Sequence, residues 1–159
     1  MKIRTGIGFD VHRLSEGLPL WIGGVRIEHS KGFVAHSDGD VLIHAICDAM
    51  LGALALRDIG WHFPDSSAEF KGIDSKILLA ECVKMVREKG YEISNIDSII
   101  CMQRPKLKDY IPEMRRVMAD VLSIDIDDIS VKATTTEKLG YEGREEGVSS
   151  YATVLLYKE

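Results

Sequence analysis

Hydrophobic residues along this chain change their spacing several times, and the changes mark out its elements. IRTGIGFDVHRL, close to the first residue, is an apolar run that predicts a strand. LWIGGVRI, from Leu20 to Ile27, predicts two short strands around Gly23-Gly24, a strong hairpin signal. In SDGDVLIHAICDAMLGAL the period lengthens. Val41, Ala45, Ile46, Ala49, Met50 and Ala53 share one side of a helix, with Ser37 or Asp38 as its N-cap. DSKILLAECVKMVREKG is a second amphipathic helix, closed by Gly90, and DYIPEMRRVMADVLS a third, with Pro112 in its first turn. YEISNIDSIICMQ, ISVKATT and VSSYATVLLY predict further strands. The Gly/Pro/Asp-rich stretch RDIGWHFPDSSAEFKG is too long for a simple connector, and loops of that length are often functional.

This order of elements predicts an α/β fold in a single domain over residues 1–159. The expected architecture is a two-layer sandwich, one mixed sheet with helices on one face. SSYATVLLY leaves little polar surface on either side of its strand, so the second face of the sheet also needs a cover. Oligomerisation through the sheet is the economical answer.

Composition narrows the partners. Apolar residues make up 45% and charged residues 28%, ordinary for a soluble chain. A net charge of −5 argues against broad nucleic-acid binding. No apolar run approaches the roughly 20 residues that span a bilayer. Cys47, Cys82 and Cys101 are odd in number, widely spaced and set among apolar neighbours. They read as buried thiols in a reducing compartment rather than a disulfide framework or a thiolate metal site. No signal or transit peptide is visible, and the expected location is the cytoplasm.

Candidate chemistry begins at GFDVHRL. Side chains two apart on a strand point the same way, so Asp10 and His12 project together from one face. His44, about two turns into the first helix, joins them if that end of the helix packs near the strand. Asp48 follows at i+4 and could orient a ligand from behind. Three N/O ligands with an open fourth position suit a catalytic zinc ion. The same residues also suit a strand-end aspartate in a turn with two partly exposed histidines. Other segments are equally two-sided. His36 and Ser37 precede a helix whose free N–H groups attract anions, or else belong to a simple cap. Lys106 and Lys108 beside Pro105 could meet a phosphate or merely open a helix. Thr134 to Glu137 satisfies a capping box, yet its hydroxyls and carboxylate could also hold a phosphate with Mg²⁺. Asp58 and Asp65 suit sugar hydroxyls.

In their joint order GFDVHRL, AHSDGDVLIHAICDA, DIGWHFPD with FKGIDS, QRPKL and KATTTEKLGYEGR resemble the 2-C-methyl-D-erythritol 2,4-cyclodiphosphate synthase family over essentially the whole chain. That resemblance implies closure of a cyclic diphosphate from 4-diphosphocytidyl-2-C-methyl-D-erythritol 2-phosphate, with release of CMP, in the non-mevalonate isoprenoid pathway. It implies Asp10, His12 and His44 as ligands of Zn²⁺ or another divalent transition metal, and Glu137 as the residue holding Mg²⁺ or Mn²⁺ at the diphosphate. It implies His36 and Thr135 in transition-state stabilisation. Ser37, Asp58, Gly60 and Asp65, with Ile59, Phe63, Pro64, Ser66 and Ser67 beside them, match positions around the methylerythritol phosphate. Met102, Gln103, Arg104, Pro105, Lys106, Leu107 and Lys108, with Thr134, Thr135 and Thr136, match the cytidine nucleotide pocket.

The same family likeness implies a homotrimer, sheets packed around its axis and active sites between subunits. Tyr141 and Arg144 would lie near a central cavity that can hold isoprenoid diphosphates. The chain departs from the usual pattern at Arg57, Ser66-Ser67 and Met102, and GREEG replaces GRGEG, so Glu145 is expected to pair with Arg144 and weaken that cavity. Two other classes use the same residues: a zinc-dependent phosphohydrolase, and a noncatalytic trimeric binding protein.

Overall fold

A computed structural model describes residues 1–159. The order is β1 (Lys2–Glu16), β2 (Leu20–Ile22), β3 (Val25–Ile27), β4 (Lys31–Val34), α1 (Val41–Ala53), α2 (Ile59–His62), α3 (Ser75–Glu88), β5 (Glu92–Cys101), α4 (Ile111–Leu122), β6 (Ile129–Thr134), α5 (Gly140–Gly143) and β7 (Gly147–Lys158). The main sheet runs β4-β1-β7-β5-β6, with β2-β3 as a separate hairpin. Only β5 and β6 pair in parallel, so the sheet is mixed. The fold is the α/β sandwich that the sequence predicts, with β4, α2 and α5 in addition.

Two glycines of β1 decide how closely the helical layer sits. A Cβ on Gly8 would lie 1.8 Å from the carbonyl oxygen of Ala45, and one on Gly6 1.9 Å from that of Ala49. Only glycine lets the α1 backbone lie directly on the strand. Gly8 is two residues from Asp10 and Ala45 follows His44, so this close approach delivers the helical histidine to the strand pair.

α1 departs from its expected form in two ways. Every one of its residues except Asp48 and Gly52 is buried, so no single apolar face is distinguishable. The cause is enclosure: β1 and β7 lie on one side and α3 on the other. The N-cap is Asp40, not Ser37 or Asp38. Asp40 Oδ1 accepts from the Ile43 N–H at 3.0 Å, while Gly39, at φ 74°, turns the chain just before it. The same carboxylate accepts from Gly23 N–H (2.9 Å) and Gly24 N–H (2.7 Å), so the hairpin tip fixes where the helix begins.

The helix-covered face of the sheet forms one continuous buried cluster with the helices. The opposite face is bare within this chain: Ile7 is 73% exposed, and Phe9, Val11 and Tyr151 lie beside it, also exposed. No helix is long and apolar enough to cross a membrane.

Candidate active site

Asp10, His12 and His44 converge. Asp10 Oδ2 lies 2.9 Å from His12 Nε2 and 3.1 Å from His44 Nδ1, and the two nitrogens are 3.1 Å apart. Ligands about 2.0–2.1 Å from a tetrahedral ion would be separated by ~3.3 Å. The triangle is nearly that size, and its donors, one carboxylate and two imidazoles, suit a divalent transition metal. Burial opposes ionisation of Asp10, but hydrogen bonds and charge from His12 and His44 outweigh it and bring its pKa down to about 2. Burial likewise opposes a charged His44, but Asp10 overrides it and raises the imidazole pKa. A cation, proton or metal, is favoured at this point.

The triad opens into a pocket of about 270 Å³ whose walls include His36, Ser37, Ile59, Gly60, Phe63 and Asp65. His36 Nε2 donates to the Ser67 carbonyl at 2.9 Å, and Gly72 N–H donates to the His36 carbonyl at 2.7 Å. The loop after α2 is thereby folded over the residues preceding α1. Asp58 caps α2 by accepting from Trp61 N–H at 2.9 Å, and Asp48 accepts from Ile59 N–H at 2.9 Å. Asp48 therefore holds the loop and is not among the converging groups. Pro64, Ser66 and Ser67 lie on this loop, outside the pocket lining.

A second pocket, about 330 Å³, lies at the ends of β5 and β6. Met102, Pro105, Lys106, Leu107 and Lys108 form one wall, and Thr134 and Thr135 another. Gln103 Oε1 accepts from Lys138 N–H at 3.2 Å, tying this loop to the following turn. The capping box at Thr134 to Glu137 does not form. Leu139 N–H closes a tight turn on the Thr136 carbonyl at 2.9 Å, with Glu137 and Lys138 at φ 54° and 64°, so the chain reverses instead of starting a helix. Glu137 is exposed there and lies outside the Asp10–His12–His44 cluster.

The two pockets share no residue. Register places Asp10, Ser150, Ile100 and Ala133 in one row across β1, β7, β5 and β6. Three strand spacings separate the ends of that row by ~14 Å. Ser150 and Ile100 between them are fully buried, so this face offers no open groove from one pocket to the other. His36 and Thr135 consequently line different pockets of the chain.

Glu145 does not pair with Arg144. Its carboxylate takes Arg104 Nη2 at 2.9 Å, while Arg144 reaches Glu146 at 3.1 Å. The reason is backbone: Glu145 sits at φ 57° and turns away from its neighbour toward the 102–108 loop. Tyr141 Oη contacts Ser149 Oγ, which donates to Glu142 Oε1 at 2.8 Å.

Two residues of the site carry no signal in spacing: Ser75, whose Oγ lies 2.8 Å from His44 Nε2, and Asp38, 2.5 Å beyond it. Ser75 is thirty-one residues from His44 and looks, in sequence, like an ordinary helix start.

Fold and site together define an α/β protein with an Asp/His/His centre for a divalent ion. The chain belongs to the YgbB family, matched over residues 3–157. It is 64% identical over 156 residues to the 2-C-methyl-D-erythritol 2,4-cyclodiphosphate synthase of Bacteroides fragilis, covering 98% of each chain. It is 66% identical over 153 residues to that of Porphyromonas gingivalis, covering 96% of this chain and 94% of the other. Among solved structures, the CDP complex of IspF from Plasmodium falciparum is similar at TM-score 0.87 and 36% identity, covering 99% and 97%. The bifunctional IspDF from Campylobacter jejuni matches at TM-score 0.95 and 47% identity, over 99% of this chain and 43% of that longer one.

Proposed function

We infer that this chain is a 2-C-methyl-D-erythritol 2,4-cyclodiphosphate synthase, converting 4-diphosphocytidyl-2-C-methyl-D-erythritol 2-phosphate to the cyclic diphosphate and CMP. The observation that carries the reading is the convergence of Asp10, His12 and His44 beneath a pocket, in a chain so similar to the named synthases. The substrate's 2-phosphate oxygen forms a bond to the β-phosphorus, and the bond from that phosphorus to the oxygen of CMP breaks. The nucleophile is already ionised near neutral pH and CMP leaves as a stable anion, so no protein nucleophile or strong base is required. What opposes reaction is the meeting of two anionic phosphates and the closing of a ring. Positioning and charge neutralisation are the work left to the protein.

Asp10, His12 and His44 would hold zinc or a similar ion, and Glu137 would hold Mg²⁺ or Mn²⁺ at the diphosphate. Such ions supply Lewis-acid charge on phosphate oxygens. Ser37, Asp58, Gly60 and Asp65 would seat the methylerythritol phosphate. The 102–108 loop with Thr134 to Thr136 would seat the cytidine nucleotide, with His36 and Thr135 stabilising the transition state.

The separation of the two pockets within each chain supports a complete site assembled from two copies. The exposed apolar face around Ile7, Phe9, Val11 and Tyr151 supports a cyclic homotrimer closed through the sheets. In that trimer Tyr141 and Arg144 would approach the axis. Arg144 is paired there with Glu146 instead of Glu145, so an isoprenoid diphosphate would still compete with a carboxylate for it. The cytoplasm is the compartment that suits such a biosynthetic enzyme.

The test is product analysis by phosphorus NMR with CMP quantification, before and after chelation and metal return. The synthase yields equimolar CMP and cyclic diphosphate, lost on chelation and restored by metal. A phosphohydrolase would yield an open-chain phosphate, and a binding protein no product.

A further inference from the structure

We propose that Asp38 and Ser75 form a hydrogen-bonded relay that positions His44 and commits its Nδ1, not its Nε2, to the metal. The inference rests on reading Asp10, His12 and His44 as a metal centre, and adds two residues which that reading leaves without a role.

The relay follows from donors and acceptors alone. Asp38 Oδ2 takes the Ser75 backbone N–H at 2.9 Å, and Oδ1 takes the Asp40 N–H at 3.0 Å and the Ser75 hydroxyl at 2.5 Å. An ionised carboxylate only accepts, so the single Ser75 hydroxyl proton is directed at Asp38. Ser75 Oγ then has only lone pairs left for His44 Nε2, 2.8 Å away. Nε2 must therefore carry the hydrogen. Ser37 Oγ, at 3.4 Å from the same nitrogen and accepting from Gly39 N–H, is a weaker acceptor on the same side. With the proton on Nε2, the Nδ1 lone pair faces Asp10 Oδ2 and His12 Nε2, both at 3.1 Å. A lone pair against a carboxylate is repulsive unless a cation lies between, which is what a metal site needs.

Burial gives the relay its strength. Ser75 is fully buried, so water cannot replace its hydroxyl cheaply. Asp38 N–H also donates to the Ile73 carbonyl at 3.1 Å, and Ser75 opens α3. One carboxylate thus joins the segment before α1, the end of the substrate loop and the orientation of a metal ligand. Partners behind a metal-bound histidine commonly tune affinity by about 10–100-fold.

The experiment uses the full-length chain and needs no substrate. Zn²⁺ affinity is measured by competition with a chromophoric chelator for wild type and Ser75→Ala, with circular dichroism and thermal melting as fold controls. ¹¹³Cd-loaded, ¹⁵N-histidine-labelled protein then shows which His44 nitrogen carries the metal coupling. Ser75→Ala should melt cooperatively, bind Zn²⁺ about 10–100-fold more weakly and lose the protected Nε2–H signal. Wild type should couple ¹¹³Cd to Nδ1. Asp38→Asn, which sets an amide N–H against a donor, should weaken Zn²⁺ in the same direction. Unchanged Zn²⁺ affinity in Ser75→Ala, or metal coupling through Nε2, would overturn the relay. If the relay behaves as stated while the wild type releases no CMP, the proposed reaction fails and the relay stands.

Discussion

The two pockets of this chain are built on different principles. Around Asp10, His12 and His44 nearly every polar group is partnered and largely shielded: Asp40 and Ser75 are fully buried, and His44 is only 8% exposed. At the ends of β5 and β6 the polar residues stand in the open. Arg104, its side chain 71% exposed, is held through Glu145, and Glu137 and Lys138 sit at a tight exposed turn. The first region is preorganised by its own core. The second is an open wall at the ends of two strands. A buried centre holds its side chains in one arrangement, whereas side chains on an open wall keep room to adjust to what they meet.

The largest effect is expected where the ordered region is broken. His44→Ala removes one ligand and the relay's target, so metal analysis should find the site depleted and turnover reduced by at least about 10³-fold, with the fold retained. Full zinc occupancy in that variant would end the ligand assignment.

Mixing tests whether the two regions complete each other across an interface. His12→Ala chains and Lys106→Ala/Thr135→Ala chains should each be nearly inactive as pure oligomers. Co-refolded in equal amounts with random assortment, about three-quarters of cyclic trimers are mixed and each holds one intact site in three, so activity returns to about a quarter of wild type. Proven mixed trimers without recovery would place both halves of the site in one chain.

A smaller effect separates the regions by pH. Without metal, the raised His44 pKa contributes stability that is fully present below the ordinary histidine value of about 6.5 and is lost as pH rises through the raised value. Asp10, lowered to about 2, contributes stability that is present above its ordinary value and disappears only as pH falls through about 2. Metal displaces the His44 proton, so the rise in melting temperature on adding Zn²⁺ should shrink as pH falls from 8 to 5. Calorimetry showing an unchanged metal increment over that range would contradict the coupling. The smallest change should come from the open region. Glu145→Gln removes an ion pair to the exposed Arg104, which solvent and salt screen, so CDP affinity measured by titration should change by only about a few-fold and less at high salt.

The strands other than β4 and the main helices were legible because their hydrophobic spacing is dictated by which face is buried, and Gly23-Gly24 carries its own turn geometry. Asp10 and His12 were legible as a pair because strand alternation is local. The short helix at Ile59 and the turn at Glu137 were not, because a few residues hold too little periodicity to compete with their contacts. Thr134 to Glu137 shows the limit well: its residues satisfy a capping rule, yet Gln103 and the Thr136–Leu139 bond turn the chain another way.

Residue order by itself determined the alternation of strands and helices, the projection of Asp10 with His12, and the glycines that permit close packing. Tertiary structure alone decided that His44 would meet them, because that depends on α1 lying carbonyl-to-strand against Gly6 and Gly8. It also decided that the cap would be Asp40, that Glu145 would take Arg104, and that Asp38 and Ser75 would stand behind the histidine. Each of these joins groups far apart in the chain or turned by a left-handed residue. Local propensity acts over a few residues, and only packing can choose a partner dozens of residues away.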